Sequence, residues 1–136
     1  MDDAWTGIAG ELLHLYPRGV RLAAVAGSDA ERSRAVADAL AAALREAGHE
    51  AERAHVETVV PEALRTEVIA PFREAPASDR VLVVSGPGLL LADDARGIWN
   101  FSLWQMAGDE PPYTVATALV DVTDPQHPFR RFADSC

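Results

Sequence analysis

The chain has 136 residues, 49% of them hydrophobic, which is enough for one folded domain covering 1–136 with a sizeable core. Its net charge of -9 argues against nucleic acid and anionic membrane partners, since both attract clustered positive charge. The one cysteine, Cys136, allows no disulfide framework, and no apolar run in the sequence is long enough to span a membrane. Because the residues at its start are acidic, we expect no signal peptide and a cytoplasmic protein.

Apolar residues recur along the chain in two alternating patterns, one typical of amphipathic helices and the other of buried strands. The predicted helices, in chain order, cover 5–16, 35–47 and 61–71, with a short helical piece at 93–97. The predicted strands cover 20–26, 51–57, 81–84, 99–106 and 115–122, and a proline-rich tail follows them. This alternation predicts an α/β fold with an open, mostly parallel sheet of about five strands and flanking helices.

The junction of the first strand and the second helix has the chain order of a phosphate-binding loop. Gly27 ends the strand and supplies the first glycine of the pattern G-x-x-x-x-G-K-[ST], in which backbone N–H groups and a lysine hold phosphate. Arg32 then falls on the second glycine, Ser33 on the lysine and Arg34 on the Ser/Thr that binds Mg²⁺. All 12 basic residues are arginines, so no lysine elsewhere replaces the missing one like for like.

Five segments occur in the same order as in the uridine kinase branch of the P-loop kinases, and the chain resembles that family over most of its length. They are the strand, loop and helix at 20–44, the helix at 62–72, the strand and loop at 81–91, the Trp-rich stretch at 99–104 and the closing Val-Asp-Val-Thr-Asp-Pro at 120–125. The resemblance implies the three-layer sandwich of P-loop NTPases. Only a short Gly/Pro turn separates Met106 from Val115, so we expect the family's arginine-bearing lid to be absent.

The sequence departs from the family at positions where catalytic or ligand-binding residues are expected. Besides the lost lysine, Ser85 stands where the family's Asp-Gly element has its acidic residue, and Asn100 replaces the aspartate of its Trp-Asp stretch. Asp29 and Glu31 bring negative charge to the place of the phosphates, where like charge disfavours the ligand. We therefore expect phosphotransfer to be lost and neither ATP nor Mg²⁺ to be a cofactor.

Glu57, His55 and Ser85 are the candidate catalytic residues. Glu57 takes roughly the place of the family's aspartate near the acceptor hydroxyl, and it ends a predicted strand at the edge where α/β sheets bind ligands. His55, two residues earlier, is expected on the same strand face. The alternative is an exposed edge strand whose polar residues face water. A Ser85–His55–Glu57 triad would require a geometry that the sequence does not reveal.

The candidate ligand-binding residues lie in the loops at the strand ends and in the Trp-rich stretch. They are Gly27, Ser28, Asp29, Ser33, Arg34, Gly86 and Trp104. Each also has a structural interpretation: Ser28 and Asp29 cap a helix whose first turn is solvated, Gly86 forms a turn and Trp104 fills the core. The spacing of the four histidines predicts no metal site.

Three functions are compatible with these observations. We favour a uridine-kinase-like chain, repurposed to bind or transform a small organic molecule, as in a biosynthetic pathway, in the cleft at the strand ends. The alternative is a non-catalytic partner or regulatory subunit that pairs with itself or with another protein. The third is an active kinase with an arginine-based loop. The sequence leaves open the ligand, the reaction, the oligomeric state and whether the chain is an enzyme at all.

Overall fold

The computed structural model describes residues 4–75 and 79–132, and among these residues six strands form one sheet. They are β1 (Arg21–Gly27), β2 (Glu50–His55), β3 (Arg80–Pro87), β4 (Phe101–Met106), β5 (Ala118–Asp121) and β6 (Phe129–Arg131). Their order across the sheet is β2-β3-β1-β4-β5-β6, and β1 to β5 run parallel while β6 is antiparallel to β5. The predicted α/β class and mostly parallel sheet are confirmed.

Helices flank the sheet on both faces, as the alternating pattern predicts. Those of the described residues are α1 (Ala4–Leu15), α2 (Ala30–Glu46), α3 (Pro61–Ala63) and α4 (Ala70–Glu74), with a π-helical segment, Leu64–Ile69, joining α3 to α4. Two 3-10 turns, Gly88–Leu91 and Arg96–Ile98, follow β3. Helices α1 and α2 cover one face, and the 61–74 helix with the 3-10 turns covers the other. No helix within the described residues is long and apolar enough to cross a membrane.

The core consists of two apolar layers because side chains of a strand alternate in direction. Every residue of β1 is buried. The strand residues that pack against α1 and α2 are Ala23, Val25, Ala51, Val81, Val83, Phe101, Leu103, Ala118 and Val120. Those that face the opposite layer are Leu22, Ala24, Ala26, Leu82 and Val84. Strands covered on both faces have continuous apolar sequences, which is why β1 and β3 are predictable from the sequence.

Several predicted boundaries were wrong: β3 is longer than predicted, β4 and β5 are shorter, and three further differences have local reasons. Helix α2 begins at Ala30, five residues before the predicted start, because the Asp29 side chain accepts a hydrogen bond from Arg32 N (3.0 Å) and caps it. The strand β2 ends at His55, so Glu57 lies in the following loop. The predicted proline-rich tail contains β6, a sixth strand, whose three residues pair with β5.

The helix at 61–74 continues through Pro71, where the sequence predicts that it ends. A proline inside an α-helix lacks its N–H and its ring clashes with the preceding turn. The π-helical segment widens that turn, and Ala70 N donates to Arg65 O, five residues back. A single widened turn is a common way for a helix to absorb such a disruption.

Candidate functional site

The carboxyl ends of the parallel strands meet at one edge of the sheet. There β1 leads into α2 on one face, whereas β3 leads into the 3-10 turns on the other. Because β1 and β3 are neighbours, their outgoing chains diverge at this edge, which is the position where open α/β sheets bind ligands. The candidate residues from the sequence surround this point.

The concave side of the loop after β1 is filled by the side chain of Gln105. Gln105 is fully buried on β4, directly opposite Gly27 in the parallel register. Its amide Nε2 donates to Asp29 O (2.8 Å) and Ser33 Oγ (3.0 Å), and its Oε1 accepts from Arg32 Nε. An internal amide of β4 is therefore bonded to the loop after β1 and to the first turn of α2.

The two arginines of the loop are paired with carboxylates. Arg32 Nη2 also donates to Glu110, so this side chain is held between β4 and the turn after it. Arg34 Nε donates to Glu31 Oε2 (3.0 Å), and its Nη2 donates to Glu57 Oε2 (3.1 Å). The first turn of α2 is thus only half solvated, because Arg32 and the fully buried Ser33 point inward while Arg34 and Glu31 reach solvent.

His55, Ser85 and Glu57 come together, as the triad hypothesis requires. His55 Nδ1 lies 2.6 Å from Ser85 Oγ, and His55 Nε2 lies 3.2 Å from Glu57 Oε2. The imidazole is nearly buried, at 9% side-chain exposure, whereas the Glu57 side chain is 72% exposed. Although Glu57 lies beyond the end of β2, the bend after His55 brings its carboxylate back to the ring.

Ser85 is placed to orient His55 and not to attack a substrate. It is fully buried on β3, and its Oγ accepts from Arg53 Nη2 (3.1 Å) and lies 3.4 Å from Ala54 O. A nucleophile has to reach the substrate's reacting atom, which a buried hydroxyl in this position does not do. The predicted serine therefore belongs to the site through its contact with the histidine.

The Arg53 side chain forms hydrogen bonds with several elements next to His55. Its guanidinium donates to Asp38 Oδ1 (2.8 Å), Ala54 O (2.7 Å) and Val83 O (2.9 Å), besides Ser85. These acceptors lie on α2, β2 and β3, so one side chain joins three elements beneath His55. From the sequence alone, Arg53 is only a polar residue that interrupts the predicted strand at 51–57, which indicates no such role.

Gly86 and Trp104 lie on the other face of the sheet. Gly86 packs so tightly against Val56 and Leu90 that an added Cβ would come within 3.0 Å of both. Trp104 packs against Tyr113, with ring centroids 5.1 Å apart, and its indole Nε1 is buried without a hydrogen-bond partner. The structure thus separates these two predicted ligand residues from the His55 group, whereas it places the exposed Ser28 at the same edge.

Asp121, at the end of β5, serves the following turn. Burial alone would raise the pKa of this carboxyl, but hydrogen bonds from Thr123 Oγ1 (2.6 Å) and Thr123 N (2.9 Å), with the nearby Arg131, outweigh burial and lower it. The ionised carboxylate also lies 3.5 Å from Arg131 Nη1. Both carboxylate oxygens of Asp121 thus contact groups of the protein itself, so this residue stabilises the turn.

The roles of three residues were not predicted from the sequence, namely those of Gln105, Arg53 and Glu110. A signal for Gln105 exists, namely a polar amide within the otherwise mostly apolar β4 segment. Its significance depends on the register that places it opposite Gly27, and no local pattern contains that register. Scanned against protein-family models and searched against curated proteins, the sequence gives no match to either.

Proposed function

We propose that this chain derives from a uridine-kinase-like P-loop protein, no longer transfers phosphate and instead binds a small polar organic molecule at the edge formed by the carboxyl ends of the strands. The observation that carries the proposal is the Gln105 side chain inside the loop after β1, bonded to Asp29 O and Ser33 Oγ. Phosphate binding would require this buried amide to leave and the groups it satisfies to find new partners.

The charges of the loop support the loss of nucleotide binding. A helix N-terminus attracts phosphate when its N–H groups and nearby cations are available. Here the Asp29 carboxylate accepts from Arg32 N, and the guanidinium groups of Arg32 and Arg34 are engaged by Glu110, Glu31 and Glu57. An incoming triphosphate would therefore meet neutralised cations and additional carboxylates.

The residues that remain accessible suit a ligand with hydroxyl groups. Glu57 offers an exposed acceptor, and Arg34, 43% exposed, offers a donor 3.1 Å away. His55 lies beside both and is fixed by Ser85. The carboxylate can accept a hydrogen bond from one hydroxyl of a ligand, while the guanidinium beside it donates to the oxygen of the neighbouring hydroxyl. Should a reaction follow binding, Glu57 and His55 are the groups placed to move a proton.

Ligand-dependent thermal denaturation of the full chain tests the proposal. Millimolar ATP–Mg²⁺ is expected to leave the melting temperature unchanged, whereas uridine or ribose, which carry vicinal hydroxyls, is expected to raise it. A ligand at a hundred times its Kd would stabilise the chain by about 2.7 kcal/mol. Glu57→Gln should remove the uridine or ribose shift because the amide replaces the charged acceptor.

Glu50→Gln is the matched control, since Glu50 is an exposed carboxylate at the start of β2, the strand whose other end leads to Glu57. This variant should retain the ligand shift. Stabilisation by ATP–Mg²⁺ would overturn the loss of nucleotide binding. The absence of any shift with both uridine and ribose, or an equal shift in Glu57→Gln, would contradict the organic-ligand site.

A second candidate function, association with a protein partner, is favoured by an apolar groove of about 410 Å³ between α1 and the edge strand β6. Phe129 and Phe132 line it and are 53% and 55% exposed. If this groove mediates self-association, sedimentation velocity will show a dimer at micromolar concentration, and Phe129→Ser will return the chain to a monomer. A monomer at all concentrations would count against self-association.

A further inference from the structure

Three side chains from two separate parts of the chain converge at the exposed edge of the site. Glu31 lies in the first turn of α2, His55 ends β2 and Glu57 follows it. Each offers one ligand atom, and these three atoms all lie within 4.8 Å of one another. The spacing of the histidines alone predicts no metal site, because the two glutamates become ligand candidates only through the fold.

The buried Nε2 atom of His55 is the second observation that points to a ligand here. Its side chain is 91% buried, and Nε2 makes no hydrogen bond even though Glu57 Oε2 is 3.2 Å away. A buried ring nitrogen without a partner is uncommon in folded proteins. The ligand atoms of Glu31 and Glu57 lie within 4.8 Å of the imidazole, so a cation held by the two carboxylates would give Nε2 a bonding partner.

The other ring nitrogen is held as metal-binding histidines require. His55 Nδ1 lies 2.6 Å from Ser85 Oγ, which Arg53 Nη2 supports from 3.1 Å and which lies 3.4 Å from Ala54 O. A histidine that binds metal through one nitrogen usually has the other fixed by a hydrogen bond, which sets the tautomer and the ring plane. With Nδ1–H donated to Ser85, Nε2 keeps the lone pair that a metal ion would accept.

We propose that Glu31, His55 and Glu57 form a binding site for a divalent first-row transition metal ion, of which Zn²⁺ is the representative. One imidazole nitrogen and two carboxylate oxygens are ligands that such ions accept. Three protein ligands leave at least one coordination position for water or for a hydroxyl of the organic ligand. Only the coordination of a hydroxyl of the organic ligand rests on the proposed function; the metal site itself does not.

Arg34 supplies the positive charge between the two carboxylates, and a metal ion would take its place. Its guanidinium bridges Glu31 and Glu57 from positions that are 43% exposed, so releasing it to solvent costs little. A first-row ion at about 2.1 Å from its ligands places neighbouring ligand atoms about 3.4 Å apart. The glutamates, 75% and 72% exposed, can close the present separation by rotating their side chains.

The test is direct metal binding to the metal-free full chain in the absence of any organic ligand. Isothermal titration with Zn²⁺ and the visible absorption of bound Co²⁺ are expected to show one saturable site per chain. His55→Ala and Glu57→Gln should each weaken binding at least about tenfold, the effect seen even for supporting residues of metal sites. Arg34→Gln should strengthen binding, because it removes the competing cation.

His127→Ala is the control, since His127 is an exposed histidine paired with Asp124 elsewhere on the surface. It should leave the affinity unchanged. Absence of saturable binding, or equal affinity in Glu57→Gln, overturns the metal site, and the exposed position of Glu57 ensures that this variant folds. Metal binding without any uridine or ribose shift would contradict the ligand proposal and leave the metal site standing.

Discussion

Gly27→Ala is expected to destabilise the fold by about 3 kcal/mol, because a side chain at this position collides with the strand beside it. A Cβ on Gly27 would lie 2.5 Å from Gln105 O and closer still to Gln105 Nε2. The carbonyl belongs to β4 and cannot rotate away, so the pairing of β1 with β4 would have to loosen. Urea denaturation measures the loss, and the melting temperature should fall by about 10 °C.

Gly97→Ala is the matched control for this substitution. An added Cβ there has no atom within 4 Å, so its stability should stay within about 0.5 kcal/mol of the original. If β1 and β4 were farther apart at this point, so that Gln105 O did not approach Gly27, Gly27→Ala would resemble this control. A Gly27→Ala/Gln105→Ala pair should lose less stability than the sum of the single changes, because the shorter side chain removes part of the collision.

Arg53→Met is the second substitution with a large expected effect, a loss of about 3 kcal/mol with disorder of the His55 ring. The guanidinium supplies hydrogen bonds to Ser85 Oγ and Val83 O, and each buried acceptor left without its donor costs about 1 to 3 kcal/mol. Denaturation measures the stability, while ¹⁵N spectra of the imidazole report the tautomer of His55. The stability of Arg53→Lys should lie between that of the original chain and that of Arg53→Met, because one ammonium cannot reach all the acceptors.

Arg65→Met provides the comparison for Arg53→Met. Arg65 is an exposed arginine of the 61–74 helix, so its replacement should change stability by no more than about 0.5 kcal/mol. If Arg53→Met lowered stability without altering the imidazole spectrum, Arg53 would support the sheet alone. If it altered neither, the assignment of Arg53 as the support of His55 would be wrong.

The elements that could be predicted are those whose residues carry their own local signal. Strand β1 differs by one residue at each end from its prediction because it is an apolar run covered on both faces. The cap at Asp29 was recognisable from residue type, whereas the polar residues that follow it concealed the true start of α2. Strand β6 could not be predicted, since its three residues become a strand only by pairing with β5.

The sequence by itself determined the α/β class, the buried parallel strands, the acidic charge and the absence of lysine, because composition and short-range periodicity contain this information. The tertiary structure decided which distant side chains meet. The register of β1 and β4 puts Gln105 over Gly27, and the end of β2 next to α2 brings Glu31 to His55 and Glu57. These contacts depend on hydrogen bonding between strands far apart in the chain, which no local pattern specifies.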